Sequence, residues 1–277
     1  MSTTVSESFR AEMESGIKVA YQQIGSKLRG AVRIKSGAKG STVSWNKIGK
    51  GQASQKSRHG DVVPMNPTHS KVTGTMADWY AGDYVGKIDE KKIDFDEKEA
   101  IRITGSGAIG RKTDNLIITA MDGTSNTVAV GATGLSKAKI LSAFETLNGN
   151  DVPDDGNRYV AVGAHQWNEC INIAEFKSAE YVGPGELPWL RGTSAKRWLN
   201  FIWFLHTGLP LAAGTRKVFF WHKMAVGYGE CQEMFTDISW VPQKAEHFVD
   251  TMFSGCAALI DDDGVVEVSC DDDASIT

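Results

Sequence analysis

Asp96-Glu-Lys-Glu-Ala-Ile-Arg-Ile-Thr-Gly-Ser-Gly-Ala-Ile-Gly-Arg-Lys-Thr-Asp-Asn-Leu-Ile-Ile-Thr-Ala-Met121 is the stretch whose reading decides the fold, and two readings compete for it. Gly105-Ser-Gly-Ala-Ile-Gly110 matches G-x-G-x-x-G, the loop that cradles a dinucleotide pyrophosphate, with Ala100 to Thr104 as the strand before it. That loop needs a helix of several turns after its last glycine and an acidic residue roughly 20 positions on. Only Arg111 to Asn115 separate Gly110 from Leu116-Ile-Ile118, which leaves no room for the helix. One long helix explains the same residues better. Asp96 is a suitable N-cap, Glu99 completes a start like a capping box, and Asp96, Glu97 and Glu99 complement the positive end of the helix dipole. Ala100, Ile101, Ala108, Ile109, Leu116, Ile117 and Ala120 recur in helical groups, and Gly123 provides the stop. The glycines then become small residues on a helix face that another segment approaches closely. The expectation is a helix over 96–121 and no nicotinamide or flavin cofactor.

Downstream, a second helix begins at Ser136 and carries Ile140, Leu141, Phe144 and Leu147 on one face, ending near Asn148-Gly149. Asp151-Val-Pro-Asp-Asp-Gly156 reads as a turn and Arg158-Tyr-Val-Ala-Val-Gly163 as a buried strand. Residues 164–245 hold six of the eight tryptophans, with Gly/Pro breaks at 183–188 and 208–214, and read as the aromatic core of a compact lobe. Cys256 to Ile260, the turn Asp261-Asp-Asp-Gly264 and Val265 to Cys270 read as a closing hairpin, which would bring Cys256 and Cys270 near one another. An acidic tail, expected to be disordered, follows.

Upstream, Thr42-Val-Ser-Trp-Asn-Lys-Ile48 alternates and is rich in β-formers, and β character resumes at Val62-Val63 and again over Lys71 to Met76. Between them Gly49 to Gly60 has no apolar residue larger than Ala and reads as a mobile, basic tip. An isolated two-stranded ribbon is marginal in water, so this flap is expected to lie on a surface supplied by another subunit. Residues 1–38 are polar, with Met13, Ile17, Ala20, Tyr21, Ile24 and Leu28 at spacings that suit a short amphipathic helix.

The charge is divided along the chain. Residues 1–72 carry 12 Lys and Arg against 4 Asp and Glu, whereas residues 73–277 carry 18 against 30. Such a division suits nucleic-acid contact, or a basic segment docking on the acidic remainder of a neighbouring copy. No nucleic-acid recognition motif accompanies it, so base readout is not expected. Met1 to Gln22 lacks the basic start and apolar run of a signal peptide. Trp198 to Leu205, the most apolar run, is far shorter than the roughly 18 residues of a membrane span. A soluble, cytoplasmic product is expected. Cys170, Cys231, Cys256 and Cys270 are too scattered for a disulfide framework or zinc knuckle and are expected to stay reduced.

Catalytic signatures are missing. Gly131-Ala-Thr-Gly-Leu-Ser-Lys137 lacks the Gly-Lys-Ser/Thr ending of a phosphate loop. In the Asp-rich turns, Pro153 stands where a calcium ligand would be required and Glu267 follows too soon after Asp261. His59, His69, His165, His206, His222 and His247 form no metal or nucleophile pattern, although a triad assembled from distant residues stays open. No catalytic, cofactor or metal residues are expected.

The succession of segments carries a resemblance. A polar arm and a basic flap precede Tyr84 to Ala100, the long helix ending Arg111 to Met121, and the helix over 135–147. Asp151-Val-Pro-Asp-Asp-Gly-Asn-Arg-Tyr-Val-Ala-Val162 follows, then His222-Lys-Met-Ala-Val226 and Phe253-Ser-Gly-Cys-Ala-Ala-Leu-Ile-Asp-Asp-Asp-Gly-Val-Val-Glu-Val268. In order and spacing these resemble the major capsid proteins of tailed double-stranded-DNA bacteriophages, most clearly from about residue 40 onward. The resemblance implies an α+β Hong Kong 97-type capsid fold with an N-terminal arm (1–40), an extended β-hairpin E-loop (41–78), a peripheral domain (79–150) whose spine helix is 96–121, an axial domain (151–245), and a return to the peripheral domain (246–277). It implies a structural role, self-assembly as hexamers and pentamers into an icosahedral shell around packaged DNA, and no enzymatic activity. Implied partners are many copies of the chain, a separate scaffolding protein, a portal, a decoration protein and DNA held non-specifically. Lys47, Lys50, Lys56 and Arg58 at the E-loop tip become the candidate intersubunit contacts; some relatives cross-link an E-loop lysine to a neighbour's asparagine. A tail or head–tail joining protein and a dinucleotide-binding enzyme are the competing readings.

Overall fold

A computed structural model describes residues 21–92, 96–177 and 196–274. Residues 97–121 form one helix, α1 (Glu97–Met121), and Asp96 caps it by accepting the Glu99 backbone N–H at 3.2 Å. Gly105, Gly107 and Gly110 lie buried along it. A Cβ on Gly110 would stand 2.4 Å from the carbonyl carbon of Gly25, and one on Gly105 would stand 2.9 Å from Thr251 Oγ1 and 3.0 Å from the Ala81 oxygen. The motif that imitates a cofactor loop is a docking groove for backbone. Gly110→Ala is therefore expected to destabilise the protein by about 2–3 kcal/mol, outweighing a helix-propensity gain of about 1 kcal/mol. At Gly107 a Cβ would meet only the ends of Gln22 and Arg111, which can move aside. Gly107→Ala should be neutral or stabilising by up to about 1 kcal/mol. Urea denaturation of the two variants separates backbone overlap from propensity.

α1 lies across a four-stranded sheet ordered β1 (Arg33–Lys35), β11 (Val226–Val241), β12 (Glu246–Leu259), β4 (Ala77–Gly86). Beside it stands a second sheet in the order β5 (Thr127–Val128), β13 (Val265–Asp271), β10 (Thr215–His222), β6 (Arg158–Val162), β8 (Phe201–Leu205), β7 (Lys196–Trp198), with the short β9 (Leu211–Ala212) also on β10. β10 is buried on both faces. Phe219 and Trp221 join Ile117, Met121 and Val226 in a core against α1, while Val218 and Phe220 face a second core with Phe201, Trp203 and Val268. That second core is covered by α2 (Lys137–Gly149), capped by Ser136, and by α3 (Ala164–Asn172) and α4 (Ala174–Lys177). The aromatic run of β10 is thus the partition between two cores.

Arg158 explains the Asp151 to Val162 segment. It is fully buried, yet donates from Nε to the Pro153 oxygen at 3.1 Å and from Nη2 to the Val152 oxygen at 2.6 Å and Asn148 Oδ1 at 2.9 Å. The guanidinium also lies over the rings of Phe144 and Phe201. One side chain thereby satisfies the carbonyls of a loop whose tight path needs positive φ at Asp151 and Gly156.

Several expectations change. Residues 256–270 do not form a hairpin: β12 is already flanked by β11 and β4, so it has no free edge to offer. The chain turns through a 3-10 helix at Asp262–Gly264 and β13 enters the other sheet between β5 and β10. Cys256 and Cys270 consequently sit in different cores, and no disulfide joins cysteines among the described residues. Burial pushes the Cys270 thiol up to about 12 and raises that of Cys256, which suppresses thiolate chemistry. The amphipathic helix expected from Met13 lies outside the described residues as far as residue 20; from residue 21 to Leu28 the chain is irregular, and Leu28 is buried in the core against α1. The 183–188 break also lies outside the described residues. Position 245/246, expected as a domain boundary, falls in the turn joining β11 to β12, which pair with each other.

Candidate intersubunit surfaces

The flap forms as an antiparallel ribbon of β2 (Thr42–Ile48) and β3 (His69–Thr75), in register from Thr42 opposite Thr75 to Ile48 opposite His69. Val62-Val63 adds no strand; 61–68 is irregular and largely exposed, held to the facing stretch by the Gly49 N–H on the Thr68 oxygen at 2.7 Å and Ser54 Oγ on the Val63 oxygen at 3.4 Å without a continuous ladder. The base of the ribbon rests on its own chain, contrary to the expectation that another subunit supplies its whole support. Val43 and Trp45 are buried against Cys256 and Ile260, and Gly227 and Gly229 of β11 leave room for them. Beyond Ile48 that support ends.

The structure separates the four candidate contact residues of the flap into two pairs. Lys47 donates to Asp261 at 2.5 Å, and Lys50 to Asp151 at 2.7 Å and to the Asn150 oxygen at 3.3 Å. The Lys50 hydrogen bond raises its own pKa and lowers that of Asp151, although both side chains are well exposed and the pair is weak. Lys56 and Arg58 are exposed and have no hydrogen-bond or ion-pair partner among the described residues. Sequence reading found the four cations but not their division, since Asp151 and Asp261 lie about 100 and 200 residues away along the chain.

A second exposed surface is the face of the four-stranded sheet turned away from α1. Tyr80 pairs with Met252 and Phe235, and Tyr84 with Phe248 and Ser239, in rows across β4, β12 and β11. Between these rows Asp250 stands opposite both Asp237 and Gly82. Asp250 is 7% exposed and its Oδ1 has no hydrogen-bond partner. Alternation in a strand hides such a site: only cross-strand register brings Asp237, Asp250 and Gly82 together.

The residues that could suggest catalysis are engaged structurally. Asp114 of α1 is fully buried and accepts from Gln23 Nε2 and Ser26 Oγ at 2.5 Å, from the backbone N–H groups of Lys27 and Leu28 at 3.1 Å, and from His206 Nε2 at 2.9 Å. His206 Nδ1 accepts the Gly208 N–H at 3.1 Å, which places the ring proton on Nε2. A serine, an aspartate and a histidine meet here, but the carboxylate lies between the other two, so the imidazole cannot take the Ser26 proton as a general base would. In the Gly131 to Lys137 loop, Glu169 accepts the Leu135 N–H at 2.7 Å, and its carboxylate fills the space that a Cβ on Gly134 would take. A phosphate would meet a negative charge there. Asp262, in the second Asp-rich turn, is held by Thr124 and Ser125. No cluster of three or more metal-ligating side chains occurs among the described residues, and no helix among them is long and apolar enough to cross a membrane.

Comparison with known proteins follows the same line. The family model described as phage capsid protein matches residues 5–272. No curated protein matches the sequence. Among solved structures, the chain is similar to that of Mycobacterium phage Che8 at 16% identity and TM-score 0.74, covering 96% of this chain and 98% of that one. It is also similar to the capsid of Cyanophage P-SCSP1u at 13% identity and TM-score 0.75, over 98% and 95% of the two chains. For the capsid of a native GTA particle the values are 11% identity, TM-score 0.74, and 99% and 98% coverage. The long α1 on a four-stranded sheet, the second sheet with its two cores and the projecting β2–β3 flap are the Hong Kong 97-type capsid fold. With near-complete coverage in both sequence family and fold, this chain belongs to the phage capsid protein family and is a structural protein of the virion shell.

Proposed function

We propose that this chain is the major shell subunit, assembling as hexamers and pentamers into an icosahedral shell around double-stranded DNA. The observation that carries this reading is the flap: a ribbon anchored at its base by Val43 and Trp45, whose far end exposes the unpartnered cations Lys56 and Arg58 beside Val62, Val63 and Met65. Lys56 and Arg58 then meet acidic surface on an adjacent subunit, whereas Lys47 and Lys50 steady the flap on its own chain. A separate scaffolding protein, a portal and a decoration protein are the expected partners, assembly takes place in the host cytoplasm, DNA is held without base readout, and the protein has no catalytic role. The arm and E-loop divide as 1–40 and 41–78. For the remainder, the two sheets favour a peripheral unit of α1 with the four-stranded sheet and an axial unit of the second sheet with α2, α3 and α4, in place of boundaries at 150 and 245.

Electron microscopy and light scattering of the purified protein, with and without scaffold, test the reading: rings or shells are expected, and a strict monomer at every concentration overturns it. Discrete tubes or small rings would instead identify a tail or joining component. Within that assay, Lys56→Glu with Arg58→Glu should leave the melting of the isolated subunit unchanged while weakening assembly about five-fold, since exposed pairs contribute about 0.2–1 kcal/mol each. Raising salt should mimic the variant, because screening acts over about 8–10 Å near physiological ionic strength. Normal yield and salt dependence would make the tip an inert linker.

A further inference from the structure

We infer that the acid pair Asp237–Asp250, on the sheet face turned away from α1, is the receptor for the flap cations of a second copy. The inference rests on the shell reading above and names the surface that reading leaves open.

The pair is an arrangement that a free subunit would not favour. Asp237 and Asp250 are directly opposite one another on β11 and β12, and like charges so placed repel. Asp250 is more than nine-tenths buried and its Oδ1 has no partner, which leaves a desolvated acceptor unsatisfied. The third residue of the row is Gly82, which is exposed. A Cβ there would stand 2.8 Å from both Asp250 Oδ1 and the Phe248 ring, so only a glycine lets these two side chains close over the strand. Local cations do not neutralise the acid pair. Lys244 lies over the Tyr84 ring at 3.5 Å and Lys87 over Trp240 at 5.4 Å, and neither pairs with Asp250.

The rings around the acid pair suit a long cationic side chain. Tyr80 is 66% exposed and Phe235 44% exposed on one side of the pair, with Tyr84 tilted against Phe248 on the other. An Arg or Lys would lay its aliphatic stem against these rings and its charge on the carboxylates. Charge complementarity selects the occupant: the basic excess of the chain lies in residues 1–72, and of the flap cations without a partner among the described residues, Lys56 and Arg58 lie in the tip whereas Lys71 lies on the ribbon itself. Occupation removes the repulsion between the two carboxylates.

The opposite signs of two readouts test this. Asp250→Asn should leave the melting temperature of the isolated subunit equal or higher, because repulsion is relieved, while assembly weakens about five-fold, corresponding to about 1 kcal/mol per contact. Undiminished assembly of this variant overturns the proposal, as does a lowered melting temperature that accounts for the loss. Arg58→Cys with Asp237→Cys, in a Cys231→Ser background, should give intersubunit disulfides when particles are oxidised. Particles that form without cross-links overturn the proposal and leave the shell reading intact, whereas failure of the unaltered protein to assemble at all removes that earlier reading instead. If the cysteine pair prevents assembly, Asp250→Asn decides alone. Millimolar calcium or magnesium that raises the melting temperature of the unaltered subunit, but not of Asp250→Asn, would make the occupant a metal ion and overturn the proposal.

Discussion

Asp114→Asn is expected to destabilise the isolated subunit by about 3 kcal/mol, roughly 6–12 °C in melting temperature. Five donors converge on the two carboxylate oxygens of Asp114: two side chains and two backbone N–H groups of residues 23–28, and His206. An asparagine of the same size presents its own NH2 to some of them whichever way it is turned. His206 cannot accommodate by exchanging tautomer, because a proton on Nδ1 would face the Gly208 N–H. The cost falls where the N-terminal segment enters Gly110, so the arm and α1 should loosen together. Burial alone would push the Asp114 carboxyl up, but the hydrogen bonds from His206, Ser26, Leu28 and Lys27 outweigh it and hold the group below its ordinary value. A depressed carboxylate contributes stability that is fully present above its unfolded value of about 3.9 and is lost as pH falls through the lower folded value. The difference between the native protein and Asp114→Asn should therefore be constant from pH 7 to about 5 and shrink below about 4. Calorimetric melts across that range check both size and direction; a difference that grows on acidification would place the charge of Asp114 elsewhere.

Arg158→Met should cost about 2–4 kcal/mol, although it exchanges a buried charge for an apolar side chain of similar length. Such exchanges are often neutral when the partner charge is removed as well. Here the partners are the Pro153 and Val152 carbonyls and Asn148, part-buried acceptors that stay behind without the guanidinium. Asp154 is 3.8 Å away and half exposed, so little of the effect comes from that ion pair. Part of the loss is offset, since Nη1 has no partner and its burial is relieved. Arg158→Lys keeps the charge but not the fork and cannot reach all three acceptors at once, so an intermediate loss of about half is expected. Denaturant midpoints give the energies, and limited proteolysis at 148–156 should sharpen in Arg158→Met before any global unfolding. A loop that remains protected would show that it holds itself without the guanidinium.

Local chemistry made much of the fold legible. The Asp96 cap, the Ser136 start, the alternation of Thr42 to Ile48 and the apolar run of Arg158 to Val162 each settle an element through its near neighbours. The closing hairpin failed for a reason equally physical: two strands joined by a turn pair only when each has a free edge, and β12 has none. Whether an edge is free depends on β4, some 170 residues earlier. The surface residues divide in the same way. Exposure of Lys56 and Arg58 follows from a tip with nothing apolar, but the partners of Lys47 and Lys50, and the acid pair beside Gly82, arise from register between distant strands.

The central place of β13 sets an order of events in synthesis. β5 and β10 stand on either side of residues 265–271, so until that stretch has left the ribosome both present open edges, and Val218 and Phe220 lack the strand that seals their core. Pairing between such distant segments is slow, and unpaired edges bind indiscriminately. A growing chain therefore holds an unfinished second sheet, and joining the lattice waits until residues 265–271 have been translated.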